Sequence, residues 1–189
     1  MSDFEFYFSF YGLLLGLSVA EVANGFLNTV GLRRATKIGW LTPLLAVFIF
    51  LDISSFWIYA WGIRETLTIG WGTMFAGLFV ALAYYFAAGL VFPRQIVDWP
   101  DLDEHYWQHK RQVVGGLLVA NVFVFGQTMS VRTPDYDFAF WFGQVTYWPW
   151  LIVLLFSRSK RLDVAALIVA ILGYLSLIGL PGATFATGG

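Results

Sequence analysis

The sequence predicts an all-α protein, a polytopic membrane protein whose six transmembrane helices form a compact bundle with the N- and C-termini both on the outer (periplasmic) side. Three observations carry that expectation. The 189-residue chain is 59% hydrophobic and only 12% charged, about half the charged share of an ordinary soluble domain. Its apolar residues gather into stretches long enough to cross a bilayer, and its basic residues alternate between the connections.

A helix needs about 20 mostly apolar residues to cross the hydrocarbon core. The first such stretch, 7–30, follows Met-Ser-Asp-Phe-Glu-Phe. That lead holds no basic residue, so the stretch reads as a transmembrane helix rather than a cleaved signal. The second and third, 40–62 and 68–92, are closely spaced. The connection 93–112 is the one long enough to hold structure of its own. Pro100 and Asp101 supply a helix start there, acids come early, and Lys110 and Arg111 come late, as the helix dipole favours. A short interfacial helix is therefore expected over 101–111, running into the fourth span, 113–129. The fifth span, 138–156, contains Trp148-Pro149-Trp150, which should kink it near one end. The sixth is 164–180. Together they make residues 1–189 a single transmembrane domain.

Orientation follows from the loops. Arg33, Arg34 and Lys37 lie in the first, Arg94, Lys110 and Arg111 in the third, and Arg158, Lys160 and Arg161 in the fifth; the second and fourth hold only Arg64 and Arg132. Basic residues accumulate on the cytoplasmic side, so nine against two puts the odd loops inside and predicts a multi-pass protein of a bacterial inner membrane. Trp40, Trp61, Trp71, Trp107, Trp141, Trp148 and Trp150 fall near expected helix ends, as interfacial anchors do.

Composition excludes several chemistries. A net charge of −1 argues against nucleic acid as a partner. With no cysteine there are no disulfides, thiolate metal sites or cysteine nucleophiles. Lys37, Lys110 and Lys160 lie outside the spans, which removes a retinal Schiff base, and no span holds a histidine for haem. No phosphate-binding Gly-x-x-x-x-Gly-Lys-Ser/Thr loop occurs. The expectation is a protein that is not an enzyme and has no cofactor.

Two acids lie inside spans, Glu21 in the first and Asp52 in the second. A carboxylate inside a membrane costs several kcal/mol and marks a functional site by default. Glu21 lies roughly 15 Å and Asp52 roughly 18–21 Å from the cytoplasmic ends of their spans at 1.5 Å per residue, so they sit at similar heights. Asn24 and Asn28 share a helix face with Glu21, Ser55 is a near neighbour of Asp52, and Asn121 lies near the middle of the fourth span. This set predicts a binding site for a proton or small cation, and hence a small transporter or channel. The alternative is interhelical hydrogen bonding by protonated carboxyls in a non-catalytic accessory or scaffold subunit of a larger complex.

His105 and His109, with Asp101 four residues before His105, share one face of the interfacial helix. Such a triplet can bind a divalent metal, which leaves a metal-dependent membrane enzyme as a third reading. The His-Glu-x-x-His pattern is absent, and an amphipathic helix at the bilayer surface explains the segment as well. Gly12, Gly16 and Ala20 space small residues four apart in the first span, as in helix-packing motifs. The partners expected are therefore the lipid bilayer, a proton or small cation, and either further copies of this chain or a larger membrane complex.

Overall fold

The computed structural model describes residues 2–32, 36–65, 67–131 and 138–177. Arg33, Arg34, Arg132 and the end of the expected sixth span, 178–180, lie outside the described residues. The described residues form six α-helices, α1 (Asp3–Gly31), α2 (Leu41–Gly62), α3 (Trp71–Val91), α4 (Leu102–Val131), α5 (Phe138–Phe156) and α6 (Lys160–Leu177), with one turn of 3-10 helix at Ile96–Asp98. Among the described residues the only β-type pairing is an isolated bridge between Lys37 and Asp101.

Local chemistry sets several of these limits. Ser2 and Glu5 form a reciprocal capping box at the start of α1, with Glu5 N–H donating to Ser2 Oγ at 3.2 Å and Ser2 N–H to Glu5 Oε2 at 2.7 Å. Those bonds satisfy orphan donors of the first turn, and α1 therefore begins ahead of the hydrophobic stretch at 7–30. Pro43 sits in the first turn of α2, where its missing N–H costs nothing. Gly39 has φ +65, and a Cβ there would run into the Asp103 carboxylate. Helix α4 is continuous over 30 residues, so the short helix expected to run into the fourth span is its first three turns. Hydropathy marks the stretch that lies in hydrocarbon. The helix itself extends through the helix-forming Glu104, Lys110, Arg111 and Gln112 until its pattern is broken.

The helices alternate in direction. At one end of the bundle Ile69 N–H donates to Asp3 Oδ2 at 3.2 Å and the Phe4 and Trp61 rings meet edge-on at 5.9 Å, so the start of α1 lies beside the end of α2 and the start of α3. At the other end Thr42 donates to the Leu102 carbonyl at 3.0 Å, and Lys160 pairs with Asp103 at 2.5 Å. Helix α3 packs between α1 and α4, and α6 packs between α2 and α5. One continuous core runs through the bundle, including Phe48, Ile49, Tyr84, Leu117, Leu154 and Leu167.

Much of the exterior along the helices is apolar as well. Leu13, Trp71, Phe75, Phe138 and Phe156 are all exposed, which water would disfavour and lipid would not. Helices α1 to α4 are each long and apolar enough to cross a membrane. The apolar part of α5, Phe140–Phe156, is shorter, and α6 opens with Lys160, Arg161 and Asp163.

Candidate functional site

Asp52 lies midway along α2 and is completely buried, at 0% exposure. Its carboxylate collects donors from three other helices. Tyr84 of α3 donates its hydroxyl to Oδ2 at 2.6 Å, Asn121 of α4 donates Nδ2 to the same oxygen at 3.3 Å, and Tyr174 of α6 donates its hydroxyl to Oδ1. Asn121 Nδ2 also lies 2.8 Å from the Tyr84 hydroxyl oxygen and 3.0 Å from the Leu117 carbonyl, which ties the cluster to the α4 backbone. The Tyr147 hydroxyl of α5 faces the same carboxylate without hydrogen-bond geometry, and it is buried with no partner among the described residues. Five of the six helices thus converge on one acid.

Aromatic packing holds the hydroxyls in place. Phe56 meets the Tyr84 ring edge-on at 4.8 Å, the Tyr147 and Tyr174 rings meet edge-on at 6.1 Å, and Phe48 touches both. Gly173 lets α6 approach α5 closely, since a Cβ there would lie 3.0 Å from Thr146 Cβ. That approach sets Tyr174 beside Tyr147. Ser55 turns its hydroxyl back to the Asp52 carbonyl at 2.7 Å.

No lysine, arginine or histidine pairs with Asp52 among the described residues. A buried carboxylate without a counter-ion is costly unless hydrogen bonds replace its water. Three donors do so here. Oδ2 accepts from Tyr84 and Asn121 and Oδ1 from Tyr174, which leaves Oδ1 a second lone pair on which a proton can settle. The arrangement can therefore take up a proton and release it.

Glu21 stands apart. It is half-buried on α1, with no side-chain hydrogen bond or ion pair to the Asp52 cluster or elsewhere among the described residues. The buried line of α1 runs through Tyr7, Tyr11, Leu15, Ser18 and Val22, and Glu21 lies beside that line, flanking it. Asn24 and Asn28 are exposed. The acidic pair expected from sequence is replaced by a single acid with tyrosines around it. Of the expected site residues, Asp52, Ser55 and Asn121 come together; Glu21, Asn24 and Asn28 share a different, outward face. Gly12 meets α2 at Trp57, whereas a Cβ at Gly16 would meet nothing and Ala20 is exposed.

In the histidine segment the two rings come together without Asp101. His105 pairs through Nε2 with the Leu90 carbonyl at 3.0 Å, His109 through Nδ1 with the His105 carbonyl at 3.1 Å, and the two rings stack at 4.2 Å. Asp101 is taken by Lys37 at 2.7 Å, and that hydrogen bond holds the Asp101 carboxyl below its usual range. Among the described residues no three potential ligands form a metal-holding group.

Lys110, expected at the bilayer surface, is buried. It donates to Asp163 Oδ2 and to the Ser157 carbonyl, both at 2.6 Å, while Tyr106 donates to the same carboxylate oxygen at 2.9 Å. Lys110 also lies over the Trp107 ring at 4.3 Å.

No protein-family model matches the chain, and searches of curated proteins and of solved structures find no match either.

Proposed function

We propose that the protein is a six-span transporter or channel of a bacterial inner membrane in which Asp52 binds and releases a proton, or takes a small cation in its place. One observation carries the reading: a fully buried carboxylate with no counter-ion among the described residues, held by hydroxyl and amide donors from three neighbouring helices. A group needed only for packing would be better served by an apolar side chain, because replacing buried charge by apolar residues is often neutral or stabilising. The alternation of helix direction and the distribution of basic residues support six spans, with the ion-paired end of the bundle in the cytoplasm and the start of α1 outside. Nothing in this role involves catalysis.

Proteoliposomes test it. Purified chain should carry protons down an imposed gradient, and Asp52→Asn, which keeps shape and removes the titrating group, should lower that flux at least tenfold. Unchanged flux in Asp52→Asn, with the protein intact, refutes the proposal.

A second reading, as a homo-oligomer or a subunit of a larger membrane complex, is favoured by the outward face of α1. Glu21 and Asn24 lie within the apolar length of that helix with no side-chain hydrogen bond or ion pair among the described residues, next to the open Gly16 and Ala20. Polar groups facing lipid are costly, and small residues let a second helix come close. Native mass spectrometry should find the chain in an assembly that Glu21→Leu with Asn24→Leu dissolves. A lone chain in wild-type membranes extracted gently would exclude this reading.

A further inference from the structure

Asp52 lies between two unlike halves of the bundle. On α2 the positions facing the cluster change character along the helix. Leu41, Leu45 and Phe48 are buried and apolar on one side of Asp52, and Ser55 and Tyr59 follow at spacings of three and four on the other. These spacings keep all of them on one helix face.

Toward the ion-paired end the next polar cluster is the one around Lys110 and Asp163. Lys110 to Asn121 and Asp163 to Tyr174 are both eleven residues, which is about 16 Å of helix rise. What fills that interval is Leu45 and Phe48 of α2, Val113 and Leu117 of α4, and Leu167 and Ala170 of α6, all fully buried or nearly so. No hydrogen bond crosses the layer between the two clusters among the described residues. An apolar layer of that thickness holds no polar partners for a water molecule, and water enters a cavity only where it finds some.

Toward the opposite end hydroxyls enter the lining beside apolar side chains such as Phe56 and Ala60. Ser55 is partly exposed, and Tyr59 and Thr128, also partly exposed, are joined by a hydrogen bond of 3.2 Å. The orphaned Tyr147 hydroxyl supplies a further polar group at the level of the acid itself.

We infer that Asp52 exchanges its proton with one side of the membrane only, the side on which α1 starts and α2 ends, by way of Ser55, Tyr59 and Thr128, and that the apolar layer of α2, α4 and α6 closes it from the other side. Hydronium gives its proton to an Asp52 carboxylate oxygen and leaves as water. Passage onward requires α4 and α6 to part. This deepens the transport reading and rests on it for its purpose, but access is measured without flux.

The chain has no cysteine, so single cysteines report without background. In right-side-out and inverted membrane vesicles, a membrane-impermeant maleimide should label Ser55→Cys and Thr128→Cys at least tenfold faster from the side of the α1 start. Leu117→Cys and Leu167→Cys should be labelled from neither side. Where a cysteine variant fails to fold, the wild-type chain answers the same question: a water-soluble carbodiimide should modify Asp52 from the α1-start side alone, read by mass spectrometry. Labelling of Leu117→Cys or Leu167→Cys from the ion-paired side overturns the inference, as does modification of Asp52 from that side or from neither. One-sided labelling with no loss of flux in Asp52→Asn would leave the access intact and remove transport. The reverse pattern would remove the access and keep transport.

Discussion

Lys110 and Asp163 meet at 2.6 Å with side chains 3% and 0% exposed, an ion pair sealed inside one end of the helical bundle. It joins α4 to α6, and the bond from Lys110 to the Ser157 carbonyl adds the end of α5. Tyr106 shares the same carboxylate oxygen, while Asp163 Oδ1 is buried without a hydrogen-bond partner among the described residues.

Breaking this pair from one side should hurt more than removing it. Lys110→Met leaves an uncompensated buried carboxylate, a loss of about 3–5 kcal/mol in comparable sites. Lys110→Met with Asp163→Leu removes both charges and should recover most of that. Thermal unfolding in detergent measures it. A double variant no more stable than the single one would show that the charges themselves hold the end together.

The tyrosines around Asp52 should differ among themselves. Tyr84→Phe removes a buried donor to a charged group, worth about 1.5–3 kcal/mol, and should lower both stability and flux. Tyr147→Phe deletes a hydroxyl that is buried with no partner, so it should leave stability unchanged or raise it. Equal losses in the two variants would mean that Tyr147 bonds to the carboxylate as firmly as Tyr84 does.

Asp52 was legible in the sequence because an acid in the middle of an apolar stretch has few innocent explanations, and Asn121 stood out for the same reason. The tyrosines did not. Tyrosine in a membrane chain reads as an interfacial anchor, yet Tyr84, Tyr147 and Tyr174 lie well inside their helices, and that depth was the available signal. Glu21 and Asp52 share a height in the sequence reading, but height along an axis says nothing of rotation about it. Glu21 sits off the buried line of α1, and no hydrogen bond joins the two acids among the described residues. The Lys110–Asp163 pair joins residues 53 positions apart, a separation at which no local pattern reports contact. The helices themselves were plain, because long apolar stretches must satisfy their backbone internally. Their ends were less so, since helix continues through polar residues such as those at the start of α4.

Gly39 should resist substitution. Its φ of +65 is unfavourable for residues with a Cβ, by about 1–2 kcal/mol, and the added atom would collide with Asp103, which accepts from the Leu41 N–H at 3.3 Å and from Lys160 at 2.5 Å. Gly39→Ala should therefore destabilise the bundle by more than the backbone strain alone, and Gly31→Ala, which meets nothing, should not. Equal melting temperatures for the two variants would contradict the crowding at Gly39.

The Lys37–Asp101 bridge should set the response to acid at the same end. The hydrogen bond from Lys37, the largest cause, lowers the Asp101 carboxyl from its ordinary 3.8. A carboxyl that is more acidic when folded stabilises the fold fully above its unfolded value, and that contribution is lost as pH falls through the lowered value. Lys37 is raised above its ordinary 10.5, first by the same hydrogen bond, so its share is full below the unfolded value and lost as pH rises through the raised one. Between the two limits the bridge contributes a constant, small amount, because the lysine is open to solvent and screened. Melting temperature measured from pH 7 to pH 3 should fall slightly more for wild type than for Asp101→Asn, whose curve starts lower and runs flatter. Parallel curves would mean that Asp101 titrates alike in the folded and unfolded chain, and that Lys37 does not hold it.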